Sequence, residues 1–237
     1  MFEIFNHDNI LWVLSITAIA STIGLFFCGA QLCLKIKKRG SADGVNGAPF
    51  LITFLSCVLW LRYGWLRDDD AVIMVNLIGA TMEGVYIWYY HRKTRNPHFL
   101  NRLLIIGVVI IIATFYFTFD DGEDLTEKIE MLGTACVFLN VLTNSTPLAD
   151  LGVVIRSKST ESLPLPIIIA SMLVSIQWFL YGLLIDDFFL QLPNGISTII
   201  CSIQISLFFI YPSNALSRKY KPLTIEEEKL MALESNI

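Results

Sequence analysis

The chain contains one stretch twice, and this repeat constrains its fold more than any other feature. Six residues between positions 60 and 76 recur in the same order 118 positions later. A shared apolar composition matches Leu to Ile by chance, but it does not match Trp, Tyr, Gly, Asp and Asn in register. The chain is therefore predicted to contain a duplicated unit. The matched residues are Trp60, Tyr63, Gly64, Asp68, Asp69 and Asn76, then Trp178, Tyr181, Gly182, Asp186, Asp187 and Asn194.

The apolar content predicts a membrane protein. Of 237 residues, 54% are hydrophobic and 16% are charged. A soluble domain of this size cannot bury so much apolar surface and still cover itself with polar groups. The apolar residues form seven runs of the length that a bilayer requires, at 10–34, 49–66, 71–90, 103–119, 131–149, 163–185 and 188–211. The expected fold class is an all-α membrane protein with seven transmembrane helices.

The repeat and the seven runs together predict the domain organisation. Three crossings would leave a second copy inverted, so one extra crossing is needed, and the fourth run is predicted to be a linker helix. We expect an N-terminal segment 1–9, a first three-helix repeat 10–91, a linker helix 100–122, a second three-helix repeat 127–212 and a tail 213–237. The two three-helix bundles are then parallel, as in transporters that hold substrate between their halves.

The cations indicate an orientation in the membrane. Of 17 Lys and Arg residues, all but Arg62, Arg67 and Lys128 fall on one side of the predicted topology. The positive-inside rule places that side in the cytosol. The N terminus is expected to be extracellular or luminal and the C terminus cytosolic. The first segment lacks the features of a signal peptide. The five Cys lie within spans without a metal-binding spacing, so neither disulfides nor a metal is expected.

The paired asparagines are the first candidates for substrate binding. Asn76 and Asn194 each lie inside a span, where an amide is costly unless it has a partner. One interpretation is that each amide holds two helices together. The other, favoured by their equivalence in the repeat, is that they face one another across a central cavity. An amide offers two donors and an oxygen with two lone pairs, which suits an uncharged ligand rich in hydroxyls.

Aromatic residues near the outer ends of the same helices are the next candidates. Trp60 and Trp178 are either interfacial anchors, which is a common position for Trp, or indole faces that stack on a sugar ring. Two Tyr–Asp pairs are either solvated loop residues or an outer gate that closes by hydrogen bonds: Tyr63, Asp69, Tyr181 and Asp187.

Three prolines near the cytosolic ends of the spans are predicted to be flex points of alternating access. They are Pro49, Pro147 and Pro164. A proline within a helix removes a backbone hydrogen bond and permits a kink.

As an ordered set, the motifs of residues 10–212 resemble the SWEET family of eukaryotic sugar facilitators, within the PQ-loop superfamily. The resemblance implies two parallel three-helix bundles joined by a linker helix. It also implies uncoupled, bidirectional uniport of mono- or disaccharides, usually from homo-oligomers. The motifs are Ala48-Pro49-Phe50, Val75-Asn76, Gly79-Ala80, Ser145-Thr146-Pro147-Leu148, Lys158-Ser159-Thr160-Glu161, Trp178-Phe179-Leu180-Tyr181-Gly182 and Pro193-Asn194-Gly195.

The resemblance also assigns individual residues. It places Asn76, Asn194, Trp60, Trp178 and Ser56 in the sugar pocket, and the counterpart of Ser56 in the second repeat is a valine at 174.

Two further positions vary within the family. Gly29 stands where the family often has a fourth hinge proline, and because Gly also lets a helix bend, it joins the predicted hinges. Leu25 and Leu142 are bulky at positions that vary with substrate size, which favours a monosaccharide such as glucose over sucrose.

Alternative functions make different demands on the sequence. A proton-coupled exporter of the same superfamily should carry a Pro-Gln dipeptide and a mid-membrane Asp, and this chain has no Pro-Gln. A heptahelical ligand receptor predicts no internal repeat. Glu83, the one acidic residue deep within a span, is expected to be a hydrogen-bonded structural residue. No nucleophile–base arrangement indicates an enzyme. The expected partners are a sugar and the lipid bilayer of the plasma membrane or Golgi, with no cofactor and no nucleic acid.

Overall fold

The computed structural model describes residues 7–119, 124–143 and 145–211, and the regular structure in these residues is α-helical. Seven segments are long and apolar enough to cross a membrane, with α5 and α6 counted together. The all-α, seven-span fold class is thereby confirmed. The helices are α1 His7–Arg39, α2 Ala48–Arg67, α3 Asp70–Lys93, α4 His98–Phe119, α5 Leu125–Thr143, α6 Ser145–Ser157, α7 Leu165–Leu184 and α8 Phe188–Ile210.

The helices pack as two bundles related by the repeat. In the first bundle, α3 packs against both α1 and α2. In the second, α8 packs in the same way against α5, α6 and α7. Between the bundles, α1 packs on α7 and α2 packs on α5, so exchanging the repeats preserves the pattern of contacts. The linker helix α4 lies mainly against α2.

The tight turns that connect α2 to α3 and α7 to α8 are nearly identical. Asp68 and Asp186 adopt left-handed backbone with φ of 54° and 53°, a conformation that Asp tolerates better than most residues. Asp69 and Asp187 follow as N-caps, both with φ −108° and ψ 99°. Each carboxylate accepts hydrogen bonds from two backbone N–H groups of the following helix. We call the end of the bundle that carries these turns the acidic end, and the opposite end the basic end.

The first and fifth spans differ in length from their apolar runs. Helix α1 continues to Arg39, five residues beyond the run, because its last turn carries Lys37, Lys38 and Arg39, and cations stabilise a helix C-terminus. The fifth span begins at Leu125 and not at residue 131. It continues past residue 144, which lies outside the described residues, as α6. The predicted tail 213–237 also lies outside them.

The largest buried cluster joins the two repeats near the acidic end. Trp60 and Tyr63 from α2 and Trp178 and Tyr181 from α7 all belong to it. Burying four aromatic side chains at one interface contributes a large apolar area. The two bundles therefore meet through the residues that the repeat duplicates.

Candidate functional site

A cavity of about 210 Å³ lies between the two repeats. Its wall includes all five residues that the sequence predicted for a substrate pocket: Ser56, Trp60, Asn76, Trp178 and Asn194. Within the part of the chain that the structure describes, this wall contains no charged side chain. The remaining lining is Thr22, Phe26, Thr53, Cys57, Val72, Val75, Asn140, Val174 and Leu190.

Burial decides between the two interpretations of the tryptophans. Trp60 is 6% exposed and Trp178 is 7% exposed. The other three tryptophans, Trp12, Trp65 and Trp88, are between 59% and 67% exposed. The duplicated pair therefore belongs to the interior, whereas the unduplicated tryptophans occupy the surface positions typical of interfacial anchors.

The two asparagines are held in the same way. The Asn76 amide donates a hydrogen bond to the Val72 carbonyl oxygen at 2.8 Å, and the Asn194 amide donates to the Leu190 carbonyl oxygen at 2.8 Å. These bonds to the preceding turn fix the orientation of each amide along its own helix. Each side chain has a second N–H and an oxygen with two lone pairs, so the pair can exchange hydrogen bonds with a hydroxyl-bearing ligand.

Three polar residues of the cavity wall, Thr22, Thr53 and Asn140, were not predicted from the sequence. Thr22 and Asn140 occupy equivalent positions, 118 residues apart, in the first helix of each repeat. Asn140 Oδ1 accepts a hydrogen bond from the Ser56 hydroxyl at 3.2 Å, and Thr22 Oγ1 accepts one from the Trp178 indole N–H at 2.9 Å. Comparing equivalent positions for polar residues of any type, and not only for identical ones, would have found this pair.

The predicted gate residues come together at the acidic end. The Tyr63 hydroxyl lies 2.9 Å from both carboxylate oxygens of Asp187, and the Tyr181 hydroxyl donates to Asp69 Oδ1 at 3.0 Å. Each bond crosses from one repeat to the other. Each tyrosine ring also packs edge-on against the tryptophan three residues earlier, at centroid distances of 5.3 and 5.5 Å. The crossed bonds therefore cover the tryptophan side of the cavity.

The two halves of this closure differ in charge and burial. Asp187 is 3% exposed, and Arg67 Nε lies 3.5 Å from its Oδ2. The position equivalent to Arg67 is Ile185, so the second repeat supplies no such cation to Asp69. The pKa of Asp69 is raised above its ordinary value, first because burial disfavours the ionised carboxyl, and despite the hydrogen bonds that it accepts.

The predicted hinges occupy unlike positions. Pro49 is the second residue of α2, and Pro164 precedes α7 as its N-cap. At such positions an N–H has no intrahelical acceptor, so neither proline removes a helical hydrogen bond, and the reason given for a kink there is wrong. Pro147 is the third residue of α6, three residues after position 144, which lies outside the described residues. Pro193 lies inside α8, directly before Asn194, and was not among the predicted hinges.

The positions predicted to vary with substrate size, and the buried Glu83, also have surroundings other than those predicted from the sequence. Leu25 and Leu142 do not line the cavity, and the side chain there from the same part of α1 is Phe26. Glu83 is 5% exposed, and its Oε2 has no hydrogen-bond partner among the described residues. The sequence predicted a hydrogen-bonded structural Glu83, and the structure leaves one of its two carboxylate oxygens without a partner among the described residues.

Two larger depressions lie at the surface of the molecule. One, of about 710 Å³, faces sideways between α2, α4 and α5. The other, of about 470 Å³, lies at the acidic end and is lined by Asp8, Arg67, Asp69 and Tyr181, among others. This second depression shares Asp69 and Tyr181 with the crossed Tyr–Asp bonds.

The paired architecture has counterparts among known proteins. A family profile described as "Sugar efflux transporter for intercellular exchange" matches the chain twice, over residues 12–98 and 130–216. A protein of Drosophila pseudoobscura pseudoobscura named "Sugar transporter SWEET1" is 39% identical over 206 residues, covering 86% of this chain and 91% of that protein. The chain belongs to the SWEET family.

Other SWEET proteins from distant animals show comparable similarity. A "Sugar transporter SWEET1" of Caenorhabditis elegans is 36% identical and covers 86% of this chain and 67% of that protein. A solved structure of a eukaryotic SWEET transporter superposes with a TM-score of 0.79 at 27% identity, covering 86% of this chain and 98% of that chain. The SWEET family is one of transporters and not of enzymes, and the double match confirms the repeat inferred from the sequence.

Proposed function

We propose that this chain carries a monosaccharide across a membrane as a bidirectional uniporter, by alternating access. The observation that carries the proposal is the uncharged cavity between the repeats, which presents paired Trp and Asn side chains and is closed at one end by crossed Tyr–Asp bonds. The names of the SWEET relatives support a sugar as substrate.

The lining matches the chemistry of a sugar ring. Indoles of Trp60 and Trp178 offer apolar faces to the C–H groups of a pyranose, and the amides of Asn76 and Asn194 exchange hydrogen bonds with its hydroxyls. Ser56, bonded to Asn140, adds a further polar contact in the first repeat. A wall without charge leaves a phosphate or an ion without a counter-charge, so a neutral solute fits best.

Cavity size favours one sugar ring over two. The volume of about 210 Å³ is below the roughly 300–1,000 Å³ typical of sites for drug-sized ligands. A disaccharide carries a second ring, so glucose fits this cavity better than sucrose. Phe26 and the two tryptophans restrict its width, a role that the sequence had given to Leu25 and Leu142.

Alternating access requires the closure at the acidic end to open while the basic end closes. Opening breaks the bonds of Tyr63 and Tyr181 to the opposite repeat. The flexible points proposed for this motion are Pro147, Pro193 and Gly29. Pro49 and Pro164 mark the helix starts about which α2 and α7 tilt. This assigns the tyrosines and Asp69 and Asp187 to an outer gate.

Orientation and assembly follow from charge and family. The acidic end has three of the 17 Lys and Arg residues and is assigned to the extracellular or luminal side. The C terminus is then cytosolic. A homo-oligomer in the plasma membrane or a Golgi membrane is the proposed setting.

Flux in proteoliposomes tests the proposal. We expect the purified protein to equilibrate labelled glucose faster than sucrose in either direction, at a rate that an imposed pH gradient leaves unchanged. Replacing Asn76 or Asn194 by Ala should lower the rate about tenfold or more, because each removes hydrogen bonds made to the sugar. Failure to move either sugar by a folded protein that still binds one would favour a receptor.

A proton-coupled carrier is the second candidate, and Glu83 is the observation that favours it. A carboxyl group that is buried in a spanning helix without a partner for Oε2 is a place where a proton can be held. If a pH gradient drives glucose uphill, and Glu83→Gln abolishes only that component, the carrier is coupled. Glucose flux that is indifferent to the gradient rejects this candidate.

A further inference from the structure

The basic end of the first repeat carries a dense group of cations. All eight side chains are exposed, and they come from the C-terminal ends of α1 and α3, the following loop and the start of α4. Segments 35–47 and 88–102 together contain one acidic residue, Asp43. We call this surface the basic face; its residues are Lys35, Lys37, Lys38, Arg39, Arg92, Lys93, Arg95 and Arg102.

Hydrogen bonds hold the parts of the basic face together. The Ala42 N–H donates to the Lys93 carbonyl oxygen at 3.0 Å, and the Arg95 N–H donates to Asp43 Oδ1 at 2.9 Å. His91 and Asn101 are bonded at 3.0 Å between α3 and α4. These contacts fix the ends of three helices and their loops relative to one another. The cations therefore form one surface rather than three independent charged ends.

Exposed apolar side chains border the basic face and indicate its depth in the membrane. Leu34, Trp88 and Phe99 are between 56% and 65% exposed. The Arg92 guanidinium lies 5.6 Å from the centre of the Trp88 ring. Trp is enriched at the level of lipid headgroups, and long cationic side chains near helix ends extend towards that level. The basic face thus lies where phospholipid phosphates would be.

The second repeat lacks this concentration of charge. At the spacing of 118 residues its corresponding segments are 153–165 and 206–220, which contain four cations and one acid: Arg156, Lys158, Arg218, Lys219 and Glu161. The positive-inside rule requires a difference between the two sides of the membrane. It does not require the excess to lie on one repeat. The asymmetry needs a further reason.

We propose that the basic face binds the headgroups of anionic phospholipids. Clusters of four to eight Lys and Arg beside a transmembrane helix attract such lipids, and the attraction adds up over the cations. Arg guanidinium groups pair with phosphate through two parallel hydrogen bonds, and Lys adds point charges. That the lipid comes from the cytosolic leaflet rests on the orientation proposed above. The binding itself does not depend on that orientation.

Lipid retention by the full-length protein tests this inference. The protein is purified from vesicles of equal parts phosphatidylcholine and phosphatidylserine, and the retained lipids are measured by mass spectrometry. We expect phosphatidylserine to be enriched, and the enrichment to decrease with salt. The double variant Lys37→Gln/Arg92→Gln should weaken retention roughly tenfold or more. The charge-keeping variant Lys37→Arg/Arg92→Lys should retain most of it.

The matched control removes the same charge from the other repeat. Arg156→Gln/Lys158→Gln should change phosphatidylserine retention by less than about twofold. Equal losses in both double variants, or no enrichment in the unmodified protein, would overturn the proposal. No sugar is used and both leaflets have the same composition, so the result stands even if the chain carries another solute or has the opposite orientation.

An acidic segment of the same chain is the competing occupant. Residues 226–228 are three consecutive glutamates in the tail. If Glu226→Gln/Glu227→Gln/Glu228→Gln markedly increases phosphatidylserine retention, the tail and not the lipid is the ordinary occupant, and the proposal fails. If phosphatidylserine retention is unchanged in this variant, the result supports an anionic lipid as the occupant of the basic face.

Discussion

The two repeats match in the residues that pack them together and in the paired Trp and Asn of the cavity, and they differ in other residues of the cavity wall. Their turns share backbone angles within a degree, and their tryptophans, asparagines and gate residues form matched pairs. The cavity wall, in contrast, has Ser56 bonded to Asn140 on one side and Val174 and Thr22 at the equivalent positions. A symmetric frame allows both bundles to move alike, while an asymmetric wall gives a bound sugar one preferred orientation.

The gate provides the largest expected difference between the repeats. Tyr63→Phe removes a buried hydroxyl that contacts both oxygens of Asp187, whereas Tyr181→Phe removes one bond to the half-buried Asp69. A hydrogen bond to a charged group contributes about 1.5–3 kcal/mol, so Tyr63→Phe should favour the open gate by roughly 10- to 100-fold. Tyr181→Phe should have a smaller effect.

The readout is labelling of a cysteine introduced at Val174 in the cavity wall. An impermeant thiol reagent is added from the acidic side, and peptide mass spectrometry separates this site from the five native cysteines. Ile185→Arg supplies the cation that the Tyr181–Asp69 half of the gate lacks, and it should slow labelling of the cysteine introduced at residue 174. Equal acceleration by both Phe variants would show that the halves of the gate are equivalent.

Gly29 and Pro147 occupy equivalent positions in the two repeats. We expect that the proline of the second repeat cannot be placed at residue 29 without a loss of stability. A Cβ atom at Gly29 would lie 2.5 Å from the Tyr86 ring, so a side chain there forces α1 away from α3. We expect Gly29→Ala to lower the free energy of unfolding by about 1–3 kcal/mol, and Gly29→Pro by more.

Thermal unfolding in detergent measures this effect. Gly24 lies on the same helix with nothing within 4 Å of its would-be Cβ. Gly24→Ala should be neutral or stabilise by up to about 1 kcal/mol, because Ala favours helix. Similar losses in both Ala variants would mean that the Tyr86 contact is not the cause.

The polar wall should have an intermediate effect. Asn140→Thr copies the residue type of its counterpart and removes the amide bonded to Ser56. The glucose concentration for half-maximal flux should rise about fivefold, corresponding to about 1 kcal/mol for one hydrogen bond. The converse variant, Val174→Ser, adds a hydroxyl to the other wall of the cavity. If Val174→Ser raises the glucose concentration for half-maximal flux as much as Asn140→Thr does, the sugar has no preferred orientation in the cavity.

The pH dependence of the gate should be the smallest effect. Because the pKa of Asp69 is raised above 3.8 in the closed gate, the closed form binds this proton more tightly than an open form with a hydrated carboxyl. Lowering the pH towards 3.8 on the acidic side should therefore favour closure and slow Val174→Cys labelling about twofold more than the loss of thiolate alone slows it. Asp69→Asn should leave only the slowing that comes from the loss of thiolate. A smaller slowing than in Asp69→Asn would contradict this sign.

The sequence predicted the frame of the molecule better than its details, for physical reasons. Identical residues at a fixed spacing revealed the repeat, and they pointed to the paired Trp and Asn and to the Tyr and Asp residues of the proposed gate. Asn140 was missed because its partner in the repeat is a threonine. The bonding of Glu83 depends on side chains from other helices, which spacing along one helix does not reveal. Pro49 was misread because its effect depends on where α2 begins.

Each carboxylate of the proposed gate also starts a helix, and this double use has a consequence for the proposed transport cycle. Asp69 and Asp187 keep their bonds to the N-terminal amides of α3 and α8 whether or not a tyrosine hydroxyl reaches them. Only the hydroxyl has to find another partner, which water supplies. The carboxylates are therefore the fixed half of the proposed gate, and the tyrosine hydroxyls are its moving half. The fixed half keeps its position throughout the proposed cycle.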